Sequence, residues 1–155
     1  MPGPGEYVGD ETEGVLDPKD LPPPVVERRS RNYRRRRCPE CSKPCYRDSV
    51  GRRRLHDLGE TRSRRPRDIQ VVYSKHRCER CKFYFNADMS DLALPGAHYT
   101  HRVVYAAVRS VVEDGLPYRS ACGRLWRDHR VFVPFATLQN WVEASGEKRC
   151  RARSA

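Results

Sequence analysis

Two cysteine pairs, Cys38-Pro-Glu-Cys41 and Cys78-Glu-Arg-Cys81, hold the residues whose type and spacing could do chemistry. A Cys-x-x-Cys turn directs two sulfurs into one small space. Two such turns facing each other supply four thiolates at the roughly 2.3 Å that tetrahedral Zn²⁺ prefers. The competing reading is two disulfides or four buried thiols. Seven cysteines is an odd number for a disulfide framework, and an intracellular chain keeps its thiols reduced. The spacing therefore predicts a Zn²⁺ site of Cys38, Cys41, Cys78 and Cys81, with all four positions filled by protein and hence structural. Cys45 reads as a buried or idle thiol rather than a spare ligand, and His76 would have to fold back to reach the metal. His56, His98, His101 and His129 have no ligand spacing.

The elements that must position these thiols follow from the 36 residues between Cys41 and Cys78, a gap that suits a zinc ribbon better than a compact finger. Ile69-Gln-Val-Val-Tyr73 is β-branched and aromatic, as a strand should be, and residues 53–58 alternate polar and apolar side chains before Gly59. The run Phe83-Tyr-Phe85 is expected to close the ribbon as aromatic cover over the metal.

Charge points to the partner. The chain of 155 residues is 37% hydrophobic and 33% charged, too little apolar material for a large core, and its net charge of +11 favours a polyanion. Seven arginines fall within Arg28 to Arg37, and a second run spans Arg62 to Arg67 at an expected loop tip. Arg34, Arg35, Arg36, Arg37, Arg62, Arg64 and Arg65 are the expected phosphate contacts, with a solvated linker as the alternative for the first run. The two runs are expected to bracket the zinc site. Residues 1–27 instead carry seven acids against Lys19, a charge of −6, and six prolines; this leader is expected to be disordered. No run of about 18 apolar residues offers a membrane span, and no secretory signal opens the chain, so a cytoplasmic, nucleoid-associated protein without a membrane partner is expected.

Beyond a connector at residues 88–96 the periodicity becomes helical. Val103, Val104, Ala107, Val108, Val111 and Val112 form one apolar face of a helix over 100–114, stopped by Gly115 and Pro117. A second helix over 117–128 presents Ala121, Cys122, Leu125 and Trp126, and a third over 134–145 presents Leu138, Trp141 and Val142 before Gly146. The last two helices, joined by a short break, make a helix-turn-helix the natural architecture. Thr137, Gln139 and Asn140 face outward on the third. A Thr there can hold phosphate, and Gln or Asn can pair with adenine in the major groove.

The expected fold class is thus α+β. Residues 1–36 form a disordered acidic leader and arginine-rich arm, 37–95 a four-cysteine zinc ribbon, 96–147 a three-helix module and 148–155 a basic tail. CPEC at 38–41, LHDLG at 55–59, KHRCERCKFYF at 75–85 and FATLQNWV at 135–142 resemble the N-terminal region of insertion-sequence transposases that begin with a zinc ribbon and continue into a helix-turn-helix. The resemblance implies binding of double-stranded DNA at the terminal inverted repeats of a mobile element, and it leaves room for a homodimer. Such transposases also carry a ribonuclease-H-type domain with three catalytic carboxylates. The chain ends nine residues after Gly146, so no enzyme is expected. The other class of function compatible with these residues is a zinc-stabilised adaptor that binds RNA or a protein.

Overall fold

The computed structural model describes residues 22–154, with side chains described as far as residue 146. The acidic leader falls mostly in residues 1–21 and so lies outside the described residues. Five strands and three helices are described: β1 (Val25–Arg31), β2 (Arg35–Arg37), β3 (Pro44–Glu60), β4 (Arg65–Cys78), β5 (Phe83–Asn86), α1 (His101–Val112), α2 (Tyr118–His129) and α3 (Phe135–Ser154).

A single long hairpin, β3–β4, is the axis of the molecule. Its register runs antiparallel from Arg47 opposite His76 to Asp57 opposite Arg67, about 30 Å at the usual rise per residue. The weak strand expected at 53–58 and the strong one at 69–73 are its middle. Both extend well past those limits, because paired backbone groups continue the ladder wherever a partner strand is present. β2 pairs with the start of β3, while β1 (parallel) and β5 (antiparallel) share the other edge of β4.

The arginine-rich arm is corrected by this arrangement. Most of it is sheet: Val25, Glu27, Arg29 and Arg31 are half-buried and alternate with exposed Val26, Arg28 and Ser30. Long arginine stems can cover apolar surface while their charged heads stay in water, so a basic run can still make a strand. β1 also caps β4, whose N–H and C=O groups would otherwise form an open edge.

Three small cores lie in sequence along the hairpin. Cys38, Cys45 and Cys78, with Phe83 and Phe85 against them, occupy one end. Leu55, Ile69 and Val71 form the middle with Leu92 and Ala93 of the connector. The helices enclose Val103, Ala107, Ala121, Cys122, Leu125, Val131, Val133 and Leu138 at the other end, with Leu58 of β3 packed against them. The boundary expected near residue 95 is therefore bridged by contacts. Asp57, 2% exposed, accepts the Thr100 hydroxyl at 2.8 Å and faces Arg102 at 3.3 Å. Its negative charge thereby sits at the start of α1, the end that favours an anion.

Gly59 marks a close approach of sheet to helix. A Cβ there would collide with the His129 carbonyl oxygen and stand 2.6 Å from that of Arg65, both of them backbone atoms that cannot swing aside. Gly59→Ala is expected to destabilise the protein by about 1–3 kcal/mol, read as a lower denaturation midpoint with an unchanged denaturant slope.

The helix starts match expectation: Thr100 precedes α1 and Pro117 precedes α2. The third helix does not stop at Gly146 but runs to Ser154. Gly146 is not among the glycines with positive φ, and the residues after it are mostly good helix formers, so the one weak position is carried through.

Candidate metal centre and basic surfaces

Two backbone knuckles of the same design hold the cysteine pairs. In each, the residue after the second cysteine donates its N–H to the carbonyl of the first: Ser42 to Cys38 at 2.9 Å and Lys82 to Cys78 at 2.7 Å. Those two residues take left-handed backbone angles, φ 61° and 54°, which turn the chain sharply enough to bring both sulfurs inward. The N–H of Glu40 points at the Cys38 sulfur (3.4 Å) and that of Cys81 at the Cys78 sulfur (3.3 Å), so the backbone already solvates thiolate charge.

The four sulfurs of Cys38, Cys41, Cys78 and Cys81 all lie within 4.8 Å of one another, and the group could hold a metal ion. Sulfurs at the corners of a tetrahedron with bonds of about 2.3 Å are about 3.8 Å apart. The Cys38–Cys81 and Cys41–Cys78 separations are 3.9 and 3.6 Å, a spacing consistent with zinc and far longer than a disulfide.

Ionisation points the same way. The Cys81 N–H is the main cause that lowers the Cys78 thiol to about 6, while hydrogen bonding to Cys41 is the main cause that raises Cys81 to about 12. Four thiolates this close cannot all be charged without a cation among them. With the Cys78 thiol lowered to about 6, metal binding at pH 7 is expected to release fewer than four protons per ion, measured by calorimetry in buffers of different ionisation enthalpy.

Cys45 and His76 behave as anticipated. Cys45 lies buried beside the cluster with its thiol on the Lys43 carbonyl (3.2 Å), outside the four-sulfur group, and burial pushes its thiol up, against ionisation. His76 is fully buried, with one ring nitrogen 3.0 Å from the Cys45 carbonyl, the other 2.7 Å from Ser74 Oγ, and its ring stacked on Phe85.

The predicted phosphate contacts separate into two groups. Arg34, Arg35 and Arg37 are exposed beside the first knuckle, while Arg36 is half-buried with its guanidinium 4.5 Å over the Tyr33 ring. Arg62 and Arg64 are exposed in the β3–β4 turn, at the opposite end of the hairpin, and Arg65 donates to the Pro23 carbonyl at 3.0 Å. The two runs therefore do not bracket one zinc site. The length of the hairpin, which spacing alone does not reveal, puts the second run next to the helices instead.

A residue that sequence reasoning passed over sits there. Arg130, 5% exposed, ends α2 in a left-handed conformation, its guanidinium 5.8 Å from the Trp126 ring and its Nε without a hydrogen-bond partner. Burial, and then repulsion from Arg64, lower its affinity for its proton. Its only sequence signal was a place in the short break between two predicted helices.

On α3, Asn140 is exposed, whereas Thr137 and Gln139 are half-buried. Gln139 donates to Glu143 at 3.1 Å along the helix. Trp141 packs edge-on against Tyr99, as core. Compared with known proteins, the chain matches no family model, no curated protein and no solved structure.

Proposed function

We propose that this is a zinc-dependent DNA-binding protein in which the four-cysteine end is a zinc ribbon and α2–α3 a helix-turn-helix, resembling the end-recognition region of a transposase. The observation that carries this reading is the close approach of the hairpin's end to the end of α2, where Gly59 lies against the His129 carbonyl and the Arg62–Arg65 turn comes beside Arg130. The cationic β3–β4 turn lies at the break between α2 and α3, so the start of α3 emerges beside positive charge that has no acid to neutralise Arg130 among its described contacts. A phosphate held by the exposed Arg62 and Arg64 would offset the repulsion between Arg64 and Arg130.

In this arrangement Arg62 and Arg64 hold the duplex backbone while Asn140, with Gln139 and Thr137 behind it, approaches base edges from the first turns of α3. The zinc at the far end secures β2, so that Arg34, Arg35 and Arg37 form a second phosphate surface about 30 Å away, close to one turn of B-DNA. The target of the resemblance is a terminal inverted repeat.

The test is a salt titration of duplex binding. Arg62→Ala with Arg64→Ala is expected to weaken binding to all sequences alike and to reduce the slope of log K against log salt by about 1.8. An unchanged slope would remove this turn from the interface.

A further inference from the structure

The metal end carries a second surface, which shares only Arg35 with the duplex reading. Across four strands, one row of the sheet reads Arg35, Tyr46, Arg77, Tyr84. Arg35 pairs with Tyr46, the register of Arg47 opposite His76 sets Tyr46 across from Arg77, and Arg77 pairs with Tyr84. Alternation sends the neighbours of this row, Cys45, His76, Cys78, Phe83 and Phe85, to the metal side, where they are buried or half-buried. The row itself faces water: Tyr46 and Tyr84 are each 64% exposed, the highest values among the large apolar and aromatic side chains of the described residues.

These two exposed rings share one face of the sheet and take no part in the core. They stand two strand spacings apart, roughly 10 Å, too far to stack on each other. Each lies beside a guanidinium: Arg77 is 5.6 Å over the Tyr84 ring and lines a cleft with Tyr46. Rings on a β-sheet, alternating with cations, form the pattern that stacks unpaired bases and tracks their phosphates; a duplex, with its bases already stacked, has no use for it. Two acids lie near: Asp48, exposed on the rim of the same cleft, and Glu79, paired with Arg77 at 2.7 Å and itself 72% exposed in its side chain, a surface pair that a phosphate can displace.

We propose that this row is a binding site for single-stranded nucleic acid, with bases on Tyr46 and Tyr84 and phosphates on Arg35 and Arg77. The metal centre behind it holds β2, β3, β4 and β5 in one plane, so the platform exists only when the ribbon is assembled. The inference rests on residues other than α3 and the β3–β4 turn, which lie at the other end of the hairpin; Arg35 alone is common to the two readings.

The experiment uses the full, zinc-loaded chain with a fluorescent 12-nucleotide oligothymidylate, the matching oligouridylate and a duplex of equal length. Binding of either single strand with quenching of tyrosine emission is expected; which strand binds more tightly assigns DNA or RNA as its source. Tyr46→Ala with Tyr84→Ala should lower single-strand affinity at least tenfold, and Tyr46→Phe with Tyr84→Phe should keep it within about twofold, since stacking needs the ring and not the hydroxyl. Duplex affinity should stay within about twofold in both variants, and zinc content confirms that each is folded. Single-strand binding that is absent in the parent, or unaltered by the alanine pair, overturns the proposal; so does equal loss in the phenylalanine pair. Failure of the duplex reading alone would appear as Gln139→Ala with Asn140→Ala leaving duplex preference intact, with no bearing on the two tyrosines.

Discussion

Cys78→Ser is expected to abolish stoichiometric zinc binding and to unravel the end of the sheet that contains β2 and β5. Cys78 is the last residue of β4, fully buried, and its sulfur stands 3.6 Å from that of Cys41 and accepts the Cys81 N–H. A serine oxygen is a poor substitute for a thiolate, and structural zinc sites in small domains supply binding free energy on the order of 10 kcal/mol to the fold that forms them. The core at this end consists of little besides cysteines and two phenylalanines, so nothing else can take over. The loss should stop short of the helices. Leu55, Ile69 and Val71 make a separate cluster between, and the helical core closes on its own leucines and valines. Hydrogen exchange is the appropriate measurement: amides of β2, β5 and the knuckles should lose protection while those of α1 and α2 keep most of theirs. Cys45→Ser should retain the metal. Melting of the helices together with the metal end would mean that the contacts of Asp57, Leu58 and Gly59 make the whole hairpin one cooperative unit.

Gln139→Ala combined with Asn140→Ala is expected to cost about 1–3 kcal/mol of discrimination between the preferred duplex and unrelated ones, a loss of preference of roughly 5- to 150-fold, while non-specific affinity changes little. Asn140 is exposed on the second turn of α3, and Gln139 must give up its bond to Glu143 to reach a base. That exchange is inexpensive, since a single exposed helical pair contributes only about 0.2–0.5 kcal/mol. Competition of specific against random duplex at fixed salt measures the effect. Preference that survives the double substitution would place the reading of bases elsewhere, or leave a binder of phosphates alone.

How far the sequence could be read depended on the range of the interaction. The cysteine centre was legible because its geometry is local: each Cys-x-x-Cys knuckle shapes itself through its own backbone bonds, and only the meeting of the two was left to the fold. The helix starts at Thr100 and Pro117 were legible for the same reason. Strand lengths were not. β1 reads as a run of charge, and its alternation emerges only when β4 lies beside it to half-bury Glu27, Arg29 and Arg31. The Arg62 turn was placed at a tip correctly, but its neighbours belong to residues about 65 positions later, beyond any periodicity. The same holds for Tyr46 and Tyr84, separated by a cysteine centre and joined by one row of strand pairing.

The central claim is that a zinc-organised protein binds duplex DNA through α3 and the arginines around it. Its most direct test is the sequence profile that purified, zinc-loaded protein selects from a random duplex pool at two salt concentrations. One enriched motif, weakened but unchanged in identity at the higher salt and lost in the Gln139→Ala, Asn140→Ala variant, is the predicted result. Binding with no motif at either salt, or binding that does not weaken as salt rises, would contradict it.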